Sequence, residues 1–257
     1  MKLFKIILLI VCLFSAVNAH SEIYAVIVGV SKYKDSSDNL RYAAADALSF
    51  YNLLTNGKQN PNIVLLLDEK ATLSNIRKAI DEKYSKAKAT DHIIFYFAGH
   101  GMDGYFCQHD AGYLPGSLLK HAYIQSAFKN SKAKVKFCIA DACFAGSMKD
   151  VPKEKNMTNF YKGYKVKSTS KKDNVIVFMS SRDNQSSLET SKLGQGVFTY
   201  YLIESFQGKA DADKDNKVTA KEMYTFVRNK VSSETNRRQI PVMFGQFSEN
   251  TVIVSYK

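Results

Sequence analysis

The chain has 257 residues, 45% hydrophobic and 23% charged, with 13 glycines and 4 prolines. That balance suits one sizeable α/β core and excludes a collagen-like or largely disordered chain. The formal net charge of +12 does not read as a nucleic-acid surface, because much of the excess is concentrated in one lysine-rich stretch.

Residues 1–19 have the plan of a secretory signal peptide. Lys2 and Lys5 open it, residues 6–14 are apolar but too few to span a bilayer comfortably, and Val17 and Ala19 suit a cleavage site. Val11 before Cys12 argues against a lipoprotein signal, and an uncleaved anchor is the competing reading. The mature chain is expected to begin near His20 and to act outside the cytoplasm, secreted or periplasmic. No later run approaches membrane-spanning length. Removal of the leader leaves Cys107, Cys138 and Cys143, an odd number in an exported chain, so at least one thiol is free or pairs with another chain. Cys138 lies in an apolar run and reads as a buried small hydrophobe. Cys107 reads as a surface candidate whose pairing stays open. No cysteine or histidine spacing points to zinc.

Residues 24–30 (YAVIVGV) form the first expected strand, apolar throughout as a strand covered on both faces should be. Helical spacing follows over 40–54, with Ala43, Ala47, Phe50 and Leu54 near one face. Residues 62–67 read as a strand and 72–83 as a helix capped by Thr72. Strands are expected at 92–97, 135–140 and 175–180. Helices are expected within 118–128 and over 197–206 and 220–231, and a short last strand over 251–254. This alternation implies a largely parallel sheet with helices on both faces. Residues 148–174 interrupt it with eight lysines and few aliphatic residues. That composition is expected of a mobile, solvated insertion or a protease-sensitive linker.

Two apolar runs end in small residues and one reactive side chain. Ile93-Ile94-Phe95-Tyr96-Phe97 leads into Ala98-Gly99-His100-Gly101, and Val135 to Ala140 leads into Asp141-Ala142-Cys143-Phe144-Ala145-Gly146. Chemistry in a parallel sheet gathers at the carboxyl ends of strands. A thiol there beside an imidazole is a nucleophile with its base. His100 would protonate the leaving amine, and the backbone N–H groups of Gly101 and Cys143 would form an oxyanion hole.

These motifs resemble those of the caspase-like cysteine peptidases, and within them the metacaspases and bacterial caspase-like proteins. Ile27-Val28-Gly29-Val30-Ser31-Lys32-Tyr33 looks like the family's opening strand, and Asp46-Ala47 falls in the helix that follows it. Ser180-Ser181-Arg182 and Gly196-Val197-Phe198-Thr199 match later landmarks. The resemblance covers about residues 24–254. It implies a three-layer sandwich around a mostly parallel six-stranded sheet, and a single peptidase domain over 20–257. It also implies a Cys143/His100 dyad that needs no cofactor, and a protein or peptide substrate. Animal caspases carry Gln two residues before the nucleophile and accept Asp. Asp141 stands there in this chain, and Asp46 matches a metacaspase acid. Two carboxylates in one pocket attract Arg or Lys, so the resemblance implies cleavage after a basic residue. The lysine-rich insertion sits where many caspases are cut on activation, so self-processing there is a further expectation. For Asp46 the competing reading is an exposed acid favoured by the helix dipole.

Asp211, Asp213, Asp215, Thr219 and Glu222 have the ligand spacing of an EF-hand calcium loop, with Asn216 in place of the usual Gly. The competing reading is a polar turn before a Thr219–Glu222 capping box. Three other functions compete: a silent caspase-like binding module, a peptidase cutting after Asn or Asp, and a non-proteolytic α/β hydrolase. The missing G-x-S-x-G elbow weakens the last.

Overall fold

A computed structural model describes residues 21–112, 115–143, 174–181, 189–190 and 193–256. The segment read as a signal peptide and, apart from Asn174, the lysine-rich insertion lie outside the described residues. Twelve strands are described: β1 Ile23–Gly29, β2 Ile63–Leu67, β3 His92–Met102, β4 Tyr105–Phe106, β5 Leu119–Lys120, β6 Val135–Cys143, β7 Val175–Met179, β8 Glu189–Thr190, β9 Gln195–Gly196, β10 Lys217–Thr219, β11 Val242–Gln246 and β12 Val252–Ser255. The described α-helices are α1 Ala43–Thr55, α2 Leu73–Tyr84, α3 His121–Asn130, α4 Val197–Glu204 and α5 Ala220–Glu234. No described helix is long and apolar enough to cross a membrane.

The main sheet runs β11-β7-β6-β3-β1-β2. Its five inner and β2-side strands are parallel, and β11 joins β7 antiparallel. The mostly parallel six-stranded sheet of the sequence reading is therefore present, with one change. The last expected strand, β12, pairs with β10 in a separate ribbon. The sixth place is taken by β11, a five-residue segment behind Pro241 that carries too little periodicity to stand out.

Residues alternate between two apolar layers, as the two-residue side-chain period of a strand requires. Ala25, Ile27, Tyr96, Ile139 and Phe178 pack with Ala47 and Phe50 of α1, Phe198 of α4 and Met223 of α5. Val26, Val28, Phe95, Phe97 and Cys138 pack with Ile76 and Ile80 of α2 and Phe128 of α3. Covering on both faces makes these strands near-continuous apolar runs, which is why they are legible in the sequence.

Two strands run further than their apolar stretches. β3 continues to Met102 because its last residues keep partners, first on β6 through His100 and then on β4 through Gly101 and Met102. β6 continues to Cys143 in the same ladder. The two reactive positions are thus part of the sheet, not of loops beyond it.

Candidate active site

β3 delivers His100 to the carboxyl edge of the sheet with 7% of its surface exposed. The connection between β1 and α1 grips it. The His100 Nε2 lies 2.8 Å from the carbonyl oxygen of Asp38. A carbonyl only accepts, so Nε2 carries the hydrogen and Nδ1 is the basic nitrogen. The His100 backbone N–H donates to the Tyr33 hydroxyl at 2.7 Å, and the two rings meet with centroids 5.0 Å apart. Gly99 permits that approach, since a Cβ there would stand 2.8 Å from the Tyr33 oxygen. Burial pushes the Tyr33 phenol well above its ordinary value, which keeps it neutral.

The gripping segment is itself tied down. One oxygen of Asp68, just after β2, accepts from the backbone N–H groups of Ser31 and Lys32, each at 2.8 Å. Asn39 Oδ1 accepts from the Tyr33 N–H, and Ser31 Oγ accepts from the Ala44 N–H in the first turn of α1.

Cys143 is the last residue of β6 and the register partner of His100. Gly101 follows His100 at the corner where β3 turns to pair with β4. The backbone of Gly101 and of Cys143 therefore lies at the same end of two neighbouring strands. Cys107 and Cys138 are both free and buried, so Cys107, a candidate for exposure in the sequence, is inside and its open pairing is settled as none among the described residues. Cys107 closes against β3, its N–H donating to the His100 carbonyl at 3.0 Å. Burial pushes both thiols up to about 12, with the Asp38 charge adding to Cys107. Neither competes as a thiolate at neutral pH.

Asp46 and Asp141 come together although 95 positions separate them in the chain. Asp46 is 3% exposed, not the exposed helix-start acid of the competing reading. It accepts the Gly196 N–H through both oxygens, at 2.9 and 3.2 Å. Asp141 Oδ2 accepts from the Thr199 hydroxyl at 2.7 Å. A Cβ on Gly196 would stand 2.7 Å from one Asp46 oxygen and 3.0 Å from one Asp141 oxygen. Both carboxylates thus flank one backbone point at the start of α4. The Tyr96 hydroxyl lies 2.6 Å from the Thr199 oxygen. Burial, then the charges of Asp46 and Asp141, push this phenol well above its ordinary value, so it remains a hydrogen-bond donor.

The calcium-loop residues divide. Carboxylate oxygens of Asp211, Asp213 and Asp215 lie within 4.8 Å of one another. Asn216 takes a left-handed φ of 64° where an EF-hand has Gly. Glu222 instead forms a capping box with Thr219: its Oε2 accepts from the Thr219 N–H at 2.9 Å and the hydroxyl at 2.7 Å. Its Oε1 accepts from the Ala212 N–H at 3.0 Å.

Side-chain motifs located His100, Cys143, Asp46 and Asp141. They gave no role to the Asp38 carbonyl, a main-chain atom without a sequence signature. Tyr33, Gly196 and Thr199 stood inside recognised motifs, but their site contacts are with partners 67, 150 and 58 positions away.

The family model described as Caspase domain, a peptidase family, matches residues 23–251. Metacaspase-2 of Arabidopsis thaliana is 27% identical over 225 residues, covering 73% of this chain and 53% of that protein. The chain thus spans about half the length of that curated relative. Among solved structures, the crystal structure of a Geobacter sulfurreducens protein superposes with a TM-score of 0.61 at 15% identity, covering 87% of this chain and 92% of that one. At that identity the likeness shows the fold alone.

Proposed function

The chain belongs to the caspase-domain family of peptidases, and from that premise we propose that it cleaves peptide bonds after Arg or Lys with Cys143 as nucleophile and His100 as base. The observation that carries this reading is the register pairing of the two residues at the carboxyl ends of adjacent parallel strands.

In the proposed reaction, Nδ1 of His100 takes the thiol proton and the thiolate adds to the scissile carbonyl carbon. Backbone N–H groups of Gly101 and Cys143 stabilise the oxyanion. His100 then gives its proton to the leaving amine, leaving a thioester on Cys143. Water, deprotonated by His100, hydrolyses that thioester and restores the thiol. The Asp38 carbonyl keeps the hydrogen on Nε2 throughout, so Nδ1 alone takes and returns the proton. Asp46 and Asp141 supply the negative subsite that draws in a guanidinium or ammonium group. No step requires an ion. Calcium enters only as a candidate occupant of the three-aspartate loop.

Two further parts of the reading concern residues outside the described set. Residues 1–19 act as a leader for export, and the lysine-rich insertion offers the enzyme sites for clipping itself. Intact masses of the wild type and Cys143→Ala separate the second: a clipped wild type beside an uncut variant supports it, and two uncut proteins refute it. The dyad is tested by a thiol-reactive peptide probe ending in Arg. Labelling of the wild type and its loss in both Cys143→Ser and His100→Ala is the expected result. A folded wild type that takes up no probe would instead fit a silent binding module.

A further inference from the structure

We propose that Thr199 is a specificity-positioning residue that sets Asp141 for arginine over lysine. This rests on the reading of Asp46 and Asp141 as the basic subsite.

Tyr96 and Thr199 are fully buried and Asp141 is 7% exposed. The Thr199 hydroxyl has one hydrogen, and it goes to Asp141 Oδ2 at 2.7 Å. The contact at 2.6 Å with Tyr96 must therefore be filled by the tyrosine hydrogen. The chain runs in one direction, from Tyr96 through Thr199 to the carboxylate. The bond to the carboxylate is charge-assisted, and hydrogen bonds in sequence and out of water hold their members tightly. The bond from Thr199 narrows the terminal torsion of Asp141, which is broad for a carboxylate.

The same short segment holds the other acid, because the Gly196 N–H bonds Asp46. Two residues at the start of α4, Gly196 and Thr199, thus orient both carboxylates. A planar guanidinium places its donors in a fixed fork and needs carboxylates of defined orientation. An ammonium is a compact point charge with rotatable donors and tolerates a turned carboxylate. Losing the Thr199 hydroxyl is therefore felt more by arginine than by lysine.

The test compares wild type, Thr199→Val and Thr199→Ser on two fluorogenic peptides that differ only in a terminal Arg or Lys. It adds inhibition by agmatine, a small guanidinium. In Thr199→Val the KM for the Arg peptide is expected to rise about tenfold, that for the Lys peptide less than about threefold, and kcat to change less than about threefold. The agmatine inhibition constant rises with the Arg KM, and Thr199→Ser returns each value to within about twofold. Equal losses for both peptides, an unchanged Arg KM, or no rescue by serine would overturn the proposal. If Thr199→Val does not fold, Tyr96→Phe takes its place: it removes the donor to Thr199 and is expected to raise the Arg KM selectively, and an unchanged ratio overturns the proposal. A wild type that cuts only after residues other than Arg or Lys refutes the acidic subsite, and this inference with it. A wild type that cuts after Arg beside an unaffected Thr199→Val refutes this inference alone.

Discussion

His100 and Cys143 are register partners on neighbouring parallel strands, one residue before β3 turns away to pair with β4. Neighbouring strands lie about 4.8 Å apart, so the sheet itself brings the proposed base and nucleophile together. Precision then depends on how His100 is held, and two contacts from one segment hold it: the Asp38 carbonyl on the ring and the Tyr33 hydroxyl on the backbone.

Tyr33→Phe deletes the acceptor of the His100 N–H. A buried donor left unpaired costs about 1–3 kcal/mol. The variant is expected to melt at lower temperature and to lose about tenfold in kcat/KM with little change in KM, because the base is displaced while the acid pair is untouched. Asp68→Ala, which frees the Ser31 and Lys32 N–H groups, is expected to act in the same direction. Steady-state kinetics with a melting curve checks both, and a rise confined to KM would contradict the positioning role.

Gly196→Ala tests the geometry of the acid pair. The backbone there, at φ −63° and ψ 135°, suits any residue, so the cost is steric: the new Cβ would stand 2.7 Å from an Asp46 oxygen and 3.0 Å from an Asp141 oxygen. One or both carboxylates must shift. The expected outcome is a stability loss of about 1–3 kcal/mol and a higher KM for Arg-terminated peptides. A KM equal to that of the wild type would separate the acids from substrate binding.

The sequence made the sheet and its chemistry legible to different depths. β1, β3 and β6 stood out because burial on both faces demands unbroken apolar runs, and Thr72 stood out as a cap, which it is, accepting the Asn75 N–H. β11 was invisible because an edge strand of five residues with one glycine carries little pattern. The EF-hand spacing at 211–222 overlaps a capping box, and spacing alone does not separate a ligand from a cap. Asp46 and Asp141 were legible as acids, but the Gly196–Thr199 turn that joins them exists only once α1, β6 and α4 have packed.

His121 gives the fold an acid-sensitive element. Burial lowers its imidazole to about 3, opposed in part by a hydrogen bond with the Tyr105 backbone. The unfolded side chain titrates near 6.5. Above that pH both states are neutral and stability is indifferent to this group. Below it the unfolded chain takes up a proton that the folded chain refuses, so stability falls on acidification until about pH 3. The slope is at most about 1.4 kcal/mol per pH unit, or about 2 kcal/mol by pH 5. Denaturant melts across pH 4–8 are expected to show this limb, and His121→Leu, an apolar replacement beside Phe106, to flatten it. An unchanged limb in the variant would assign the acid loss to other groups.

Glu222→Ala removes the return half of the capping box. In the presence of chelator it is expected to lower stability by about 1 kcal/mol, because the box is complete without an ion. Full stability in chelator would contradict the capping role. A calcium-dependent rise in the wild-type melting temperature, abolished by Asp213→Ala, would assign the three carboxylates to an ion.

The most direct test of the central claim is a cleavage panel run on the protein from His20 onward and on its Cys143→Ala variant, with fluorogenic peptides ending in Arg, Lys, Asp or Asn. The account predicts hydrolysis after Arg and Lys by the unsubstituted protein and none by the variant. Hydrolysis after Asp or Asn alone, or activity that survives Cys143→Ala, would contradict it.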